Sequence, residues 1–188
     1  MKTQKTISTR RLVMAALMAA LTAAGSALRI KVPVDLVGTS AFHLGNIMCA
    51  LSGLLLGPGL GGLAAGLGSA IYDMFDPMYI SEAWLTFLMK GAYGLAAGLV
   101  AHAGKKTSGY WKAVLASASG AVLYALLYLG KNYLTAVFVQ GVALDAAFIA
   151  VGAKLPATIF NAAVAIVFAP ILAVAIRQAL KQNHLSLE

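Results

Sequence analysis

The sequence predicts an all-α fold, a polytopic membrane protein built as a bundle of six transmembrane helices with the N- and C-termini cytoplasmic. Three observations predict it. Of 188 residues, 61% are hydrophobic and only 11% charged, and the mean hydropathy is +0.85; soluble domains are about a quarter charged, so this chain has too few polar groups to cover itself in water. Apolar runs occupy most of the stretch from Leu12 to Ile176, which makes lipid the solvent of the folded state. The basic residues fall in alternate connections between those runs, as cytoplasmic loops require. At this length the prior is one membrane domain over residues 1–188.

The first span is read as 12–28, behind Lys2, Lys5, Arg10 and Arg11. A signal peptide also fits Met1 to Leu28, but the further spans make a retained helix simpler. Ala15, Ala19 and Ala23 form one small-residue stripe on this helix, and Ala16, Ala20 and Ala24 a second beside it. In lipid such stripes let helices approach closely, and the doubled stripe is the candidate docking face for another protein. Arg29 to Phe42 is an outer loop, long enough to act as a lid.

The second and third spans, 43–56 and 60–75, are short for a crossing that needs about 20 residues. Together they are too long for one helix, so Gly57-Pro58-Gly59 marks a tight turn between them. Gly62 and Gly66 on the third span, and Gly94 and Gly98 on the fourth, repeat the small-residue pattern. The remaining spans are 84–103, 111–137 and 147–176. With six spans, Lys105, Lys106, Lys112, Arg177 and Lys181 join the N-terminal cluster on the cytoplasmic side. Asp35, Asp73, Asp76, Glu82 and Asp145 lie outside, with Glu188 inside. Arg29 and Lys31 are exceptions to the charge rule.

A charge placed in the bilayer costs at least about 2.5 to 3.5 kcal/mol, so Lys90, Lys131 and Lys154 each call for a reason. They sit six or seven residues from the outer ends of the last three spans, about 9 to 11 Å deep at helical rise. Equal depth suggests one cavity open to the outside. Residues at i+3, i+4 and i+7 share a helix face, which adds Thr158 and Asn161 beside Lys154, Tyr124 and Tyr128 with neighbouring Asn132 beside Lys131, and Tyr93 beside Lys90. Trp84 would sit at the mouth, with His43 and Asn46 at the rim. Aromatic planes with a few donors suit a small, flat, polar ring. The alternative is that each lysine snorkels to the interface, Lys154 most readily because Asp145 is near.

Catalytic patterns are weak. Gly104-Lys105 resembles the end of a phosphate-binding loop, but Gly98 lies one residue too far upstream and Lys106 replaces the required Ser or Thr. No nucleotide hydrolysis by this chain is expected. Ala116 and Ala118 stand where a serine-hydrolase elbow ending at Gly120 needs glycine and serine. Cys49 is alone in an apolar run, so neither a disulfide nor a cysteine cluster is expected. His102 and His184 are assigned no role, no histidine pair has metal-ligand spacing, and neither metal nor cofactor is expected. The formal charge of +8 follows from membrane topology rather than nucleic-acid binding.

The stretches His43-Leu44-Gly45-Asn46, Leu54 to Gly62 (LLLGPGLGG), Gly66 to Asp73 (GLGSAIYD) and Phe87-Leu88-Met89-Lys90-Gly91 with Gly94 resemble the riboflavin-transporter-like branch of the S components of energy-coupling factor (ECF) transporters. The resemblance implies vitamin capture from outside the cell and delivery through a transmembrane coupling (T) protein with two cytoplasmic ATPases. It implies that Ala15, Ala19 and Ala23, or the adjacent Ala16 and Ala20, face the coupling protein. It also implies a pocket built from the first outer loop and the last three helices. The three lysines with Tyr128 and Asn132 favour a compact heteroaromatic of hydroxymethylpyrimidine or pyridoxine type over riboflavin. Rival readings are a stand-alone secondary carrier, although no internal repeat is evident, and an intramembrane enzyme on lipid-linked substrates centred on Asp73, Asp76 and Lys90.

Overall fold

The computed structural model describes residues 8–34, 38–104 and 109–183. Lys2, Lys5, Asp35, Lys105, Lys106, His184 and Glu188, which entered the topology and motif arguments, lie outside the described residues. Helix α1 covers Thr9–Ala27 and starts where the Ser8 hydroxyl accepts the Arg11 amide, an ordinary N-cap. Helix α2 (Gly45–Leu56) ends at Gly57, whose φ of +82° suits glycine. Pro58 then opens α3 (Pro58–Met74) at a position where its missing N–H is not needed. The Gly57-Pro58-Gly59 turn thus needs no extra residues.

After a single 3-10 turn, Ile80–Glu82, come α4 (Ala83–His102) and α5 (Tyr110–Leu134), the latter continued by a π turn over Thr135–Val139. The predicted sixth span is two helices, α6 (Leu144–Gly152) and α7 (Leu155–Gln182). Pro156 explains the break: it cannot donate back to the Gly152 carbonyl, and its ring clashes there. Among the described residues, three helical stretches are long and apolar enough to cross a membrane, 80–102, 110–139 and 144–182, while Gly45–Leu56 is apolar but shorter.

The loop expected to lie outside is a β-hairpin, a departure from the all-α expectation. Strand β1 (Arg29–Val34) pairs antiparallel with β2 (Gly38–His43), in register from Arg29 opposite His43 to Val34 opposite Gly38. Ile30, Val32 and Val34 alternate as strands do, a period too short to register against the long apolar helices.

Nearly all of α2 is buried, packed against α1, α3, α4 and α7. Its carbonyl end is closed by cations from two other helices. Arg11 donates to the Leu56 carbonyl at 2.9 Å, and Arg177 donates to that of Leu54, which complements the helix dipole. Glycines bring α3 and α4 together: a Cβ on Gly94 would lie 2.7 Å from the Gly61 carbonyl oxygen, and one on Gly62 would lie 2.9 Å from that of Gly91. On α1 the two small-residue stripes separate. Ala15 is buried and Ala19 and Ala23 are half-buried, with the Ala19 carbonyl against Gly68 of α3, whereas Ala16, Ala20 and Ala24 are exposed.

Candidate functional site

The hairpin lies over the end of the bundle opposite the Arg11 and Arg177 caps, and local chemistry holds it there. Asn161 of α7 accepts the His43 amide at 2.9 Å and donates to the Ala41 carbonyl at 2.7 Å. A carboxamide is the side chain that can satisfy an N–H and a C=O on one strand at once. Phe42 meets Phe160 edge to face, with ring centroids 5.2 Å apart. On the other side, Thr39 and Tyr79 share a hydroxyl hydrogen bond of 2.7 Å.

Arg29 and Lys31, the exceptions to the charge rule, are held by carboxylates. Arg29 reaches Asp73 at 3.4 Å and Asp76 at 3.9 Å, and Lys31 reaches Asp76 at 2.7 Å. The Arg29 guanidinium also covers the Tyr72 ring at 4.1 Å. Burial pushes the Asp76 carboxyl up, but the Lys31 ammonium, the Met78 amide and Arg29 together outweigh it and hold it below the ordinary carboxylate range. The hydrogen bond to Asp76 in turn raises Lys31 above its usual 10.5.

Beneath the hairpin is a cavity of about 80 Å³. Arg29, Ser40, Ala41 and His43 line it from the hairpin, Asn46 from α2, and Ser69 and Asp73 from α3. Thr86, Met89 and Lys90 line it from α4; Tyr124, Tyr128 and Lys131 from α5; and Thr158 and Asn161 from α7. Tyr79 and Glu82 close the remaining side. Lys131 pairs with Glu82 at 2.6 Å. Lys90 is buried, donates to Asn46 Oδ1, and lies 3.9 Å from the centre of the Tyr124 ring. Tyr93, Tyr124 and Tyr128 form a ladder with ring centroids 5.9 and 5.8 Å apart. Among the described residues, His43 Nδ1 has no hydrogen-bond partner.

Of the residues proposed from sequence, Lys90, Lys131, Tyr124, Tyr128, Thr158, Asn161, His43 and Asn46 meet at this cavity. Four others do not line it. Trp84 is 63% exposed on the outer face of α4. Tyr93 is fully buried one turn deeper than Lys90, against Gly120. Lys154 neither snorkels nor enters the cavity: it is 2% exposed and donates to Asn132 Oδ1 at 2.8 Å and to the Thr39 carbonyl at 3.2 Å. Asn132 in turn donates to the Tyr128 carbonyl. Lys154 and Asn132 therefore tie the hairpin to α5 from behind the tyrosine ladder.

The sequence argument missed Arg29, Tyr79, Glu82 and Thr86 as lining residues. Arg29 carried a usable signal, a cation on the side where cations are scarce. Asp73 and Asp76, the proposed centre of an intramembrane enzyme, are engaged with Arg29 and Lys31.

Residues 6–178 match the family described as ECF-type riboflavin transporter, S component. The chain is also 31% identical over 104 residues to a protein of Pyrococcus woesei described as "Uncharacterized protein in gap 3'region". That match takes in 55% of this chain and spans 66% of the relative's length. No solved structure matches the chain.

Proposed function

The chain belongs to the family of ECF-type riboflavin transporter S components, and from that premise we propose that it captures a compact, water-soluble vitamin or vitamin precursor in the cavity beneath the hairpin. Members of this family are membrane transport subunits rather than enzymes. In the proposed topology, α1, α2, α3, α4, α5 and α7 supply six crossings of a single membrane unit. The hairpin lies outside, and both termini lie with Arg11, Lys112 and Arg177 in the cytoplasm, following the bias of basic residues. In this proposal ATP hydrolysis belongs to two cytoplasmic ATPases, which drive release inward through a transmembrane coupling protein.

The observation that carries the reading is the cavity itself. Its walls combine stacked phenol rings with Lys90, Lys131, Asn46 and His43, the aromatic planes and sparse donors that orient a flat polar ring. Its polar side chains Lys90, Lys131, Asn46 and His43 favour a hydroxymethylpyrimidine or pyridoxine-type ligand over riboflavin. The exposed Ala16, Ala20 and Ala24 stripe, rather than its half-buried neighbour, is the face for the coupling protein.

The test is mass spectrometry of small molecules released when the gently purified protein is denatured. A single-ring vitamin or precursor at near-equal stoichiometry supports the proposal; release of lipid alone contradicts it.

A further inference from the structure

We infer, resting on the vitamin-capture reading above, that the ligand carries a negatively charged oxygen on its ring, a carboxylate or an ionised ring hydroxyl, and that this oxygen pairs with the Lys90 ammonium. The cavity wall holds three cations, Arg29, Lys90 and Lys131, and two carboxylates, Asp73 and Glu82. Asp73 is committed to Arg29 and Thr86, and Glu82 to Lys131. The nearby Asp76 is taken by Lys31. Each of these other wall cations is therefore matched, and Lys90 is the one left over at the wall; Lys154, outside the cavity, is spent on the Asn132 oxygen and the Thr39 carbonyl.

Lys90 is also buried, a costly place for an unmatched charge. It is 4% exposed, and its partners are both neutral, the Asn46 side-chain oxygen and the Tyr124 ring. An ammonium has three N–H donors, and Asn46 accepts one of them. The other groups at the wall, His43, Tyr79, Tyr124 and Tyr128, bring no negative charge at neutral pH in their ordinary states. A buried charge is costly unless paired. A neutral ligand would seal this one further from water; an anionic oxygen at the open side of Lys90 would complete the charge balance of the wall. The matched pairs around it then reject a second anion, so a single negative charge is the complement.

The test uses the full-length protein, freed of bound small molecules, and titration calorimetry with pairs that differ in one ionised oxygen but hardly in shape. Pyridine-3-carboxylate is set against pyridine-3-carboxamide, and pyridoxine against its 3-methoxy derivative, with hydroxymethylpyrimidine and riboflavin as uncharged vitamins. In at least one pair the member that carries the ionised oxygen is expected to bind about 30-fold or more tighter than its partner, the range lost when a buried charge pair is broken. Which pair shows the preference separates a carboxylate from a ring hydroxyl. Lys90→Met is expected to erase the preference. Should that variant not fold, the wild-type comparison decides alone.

Tightest binding by hydroxymethylpyrimidine or riboflavin, or a preference for the ionised oxygen that survives in folded Lys90→Met, would overturn the charge assignment while leaving vitamin capture standing. Failure of all six compounds to bind would overturn both.

Discussion

Lys90 on α4 donates to Asn46 at the start of α2, and this bond ties two helices at the cavity wall across 44 residues of sequence. Because both groups are buried, the cost of removing one depends on which remains. Asn46→Ala leaves a buried ammonium supported by Tyr124 alone and is expected to lower stability by about 1 to 3 kcal/mol. Lys90→Met removes the charge with its need for a partner and is expected to cost less, because an apolar replacement of similar shape is often tolerated. Thermal unfolding of the two ligand-free variants in detergent checks the order; equal losses would contradict it.

Asn161 clamps β2 through two hydrogen bonds to backbone groups of His43 and Ala41. Asn161→Ala should free the hairpin edge and speed ligand release. With the two bonds together worth about 1 to 3 kcal/mol, the off-rate should rise about 5- to 150-fold, with little change in on-rate. Stopped-flow release from the wild type and the variant measures this. An unchanged off-rate would show that the hairpin does not gate the cavity.

The ion pair between Asp76 and Lys31 gives the hairpin a pH dependence with a defined sign. Asp76 is held below its ordinary range in the folded protein, so its contribution to stability is fully present above about pH 4 and is lost as pH falls through its depressed value. Asp76→Asn should therefore be less stable than the wild type at pH 7, and the gap should close on acidification. At the alkaline end, raised Lys31 keeps its contribution until pH climbs through a value above 10.5. Melting temperatures of the two proteins across pH 3 to 8 test the acidic limb. A gap that widens in acid would contradict it.

The two alanine stripes of α1 predict opposite phenotypes. Ala15 is buried, so Ala15→Leu overpacks the contact with the bundle and should cost about 1 to 3 kcal/mol. Ala16 and Ala20 are exposed, so Ala16→Trp or Ala20→Trp should leave stability and vitamin binding unchanged while blocking assembly with the coupling protein. Pull-down of the assembled complex alongside binding to the isolated subunit distinguishes these outcomes. Normal assembly of both tryptophan variants would move the docking face elsewhere.

What the sequence disclosed follows its local periodicities. Depth and helical face bring Lys90, Lys131, Tyr128 and Asn161 to the cavity, but face alone does not set depth, and Tyr93 on the same helix as Lys90 lies one turn too deep. Lys154 was misplaced because Pro156 interrupts the helix, leaving Lys154 at the N-cap of α7, where its side chain no longer follows the face shared by Thr158 and Asn161. The hairpin went unread because six-residue strands are short beside the surrounding apolar runs. The pairing of Arg29 with Asp73 spans 44 residues, and no local pattern encodes it. Only the anomaly of an arginine on the side expected to be outside points to it.

The central claim, an outward-facing cavity that holds a vitamin-sized ring, is tested most directly by labelling one lining position in intact cells. In a Cys49→Ala background, Thr86→Cys should react with a membrane-impermeant maleimide, and hydroxymethylpyrimidine or pyridoxine at saturating concentration should block the reaction. A thiol at residue 86 that stays unlabelled from outside, or labels equally with every vitamin present, would contradict the account.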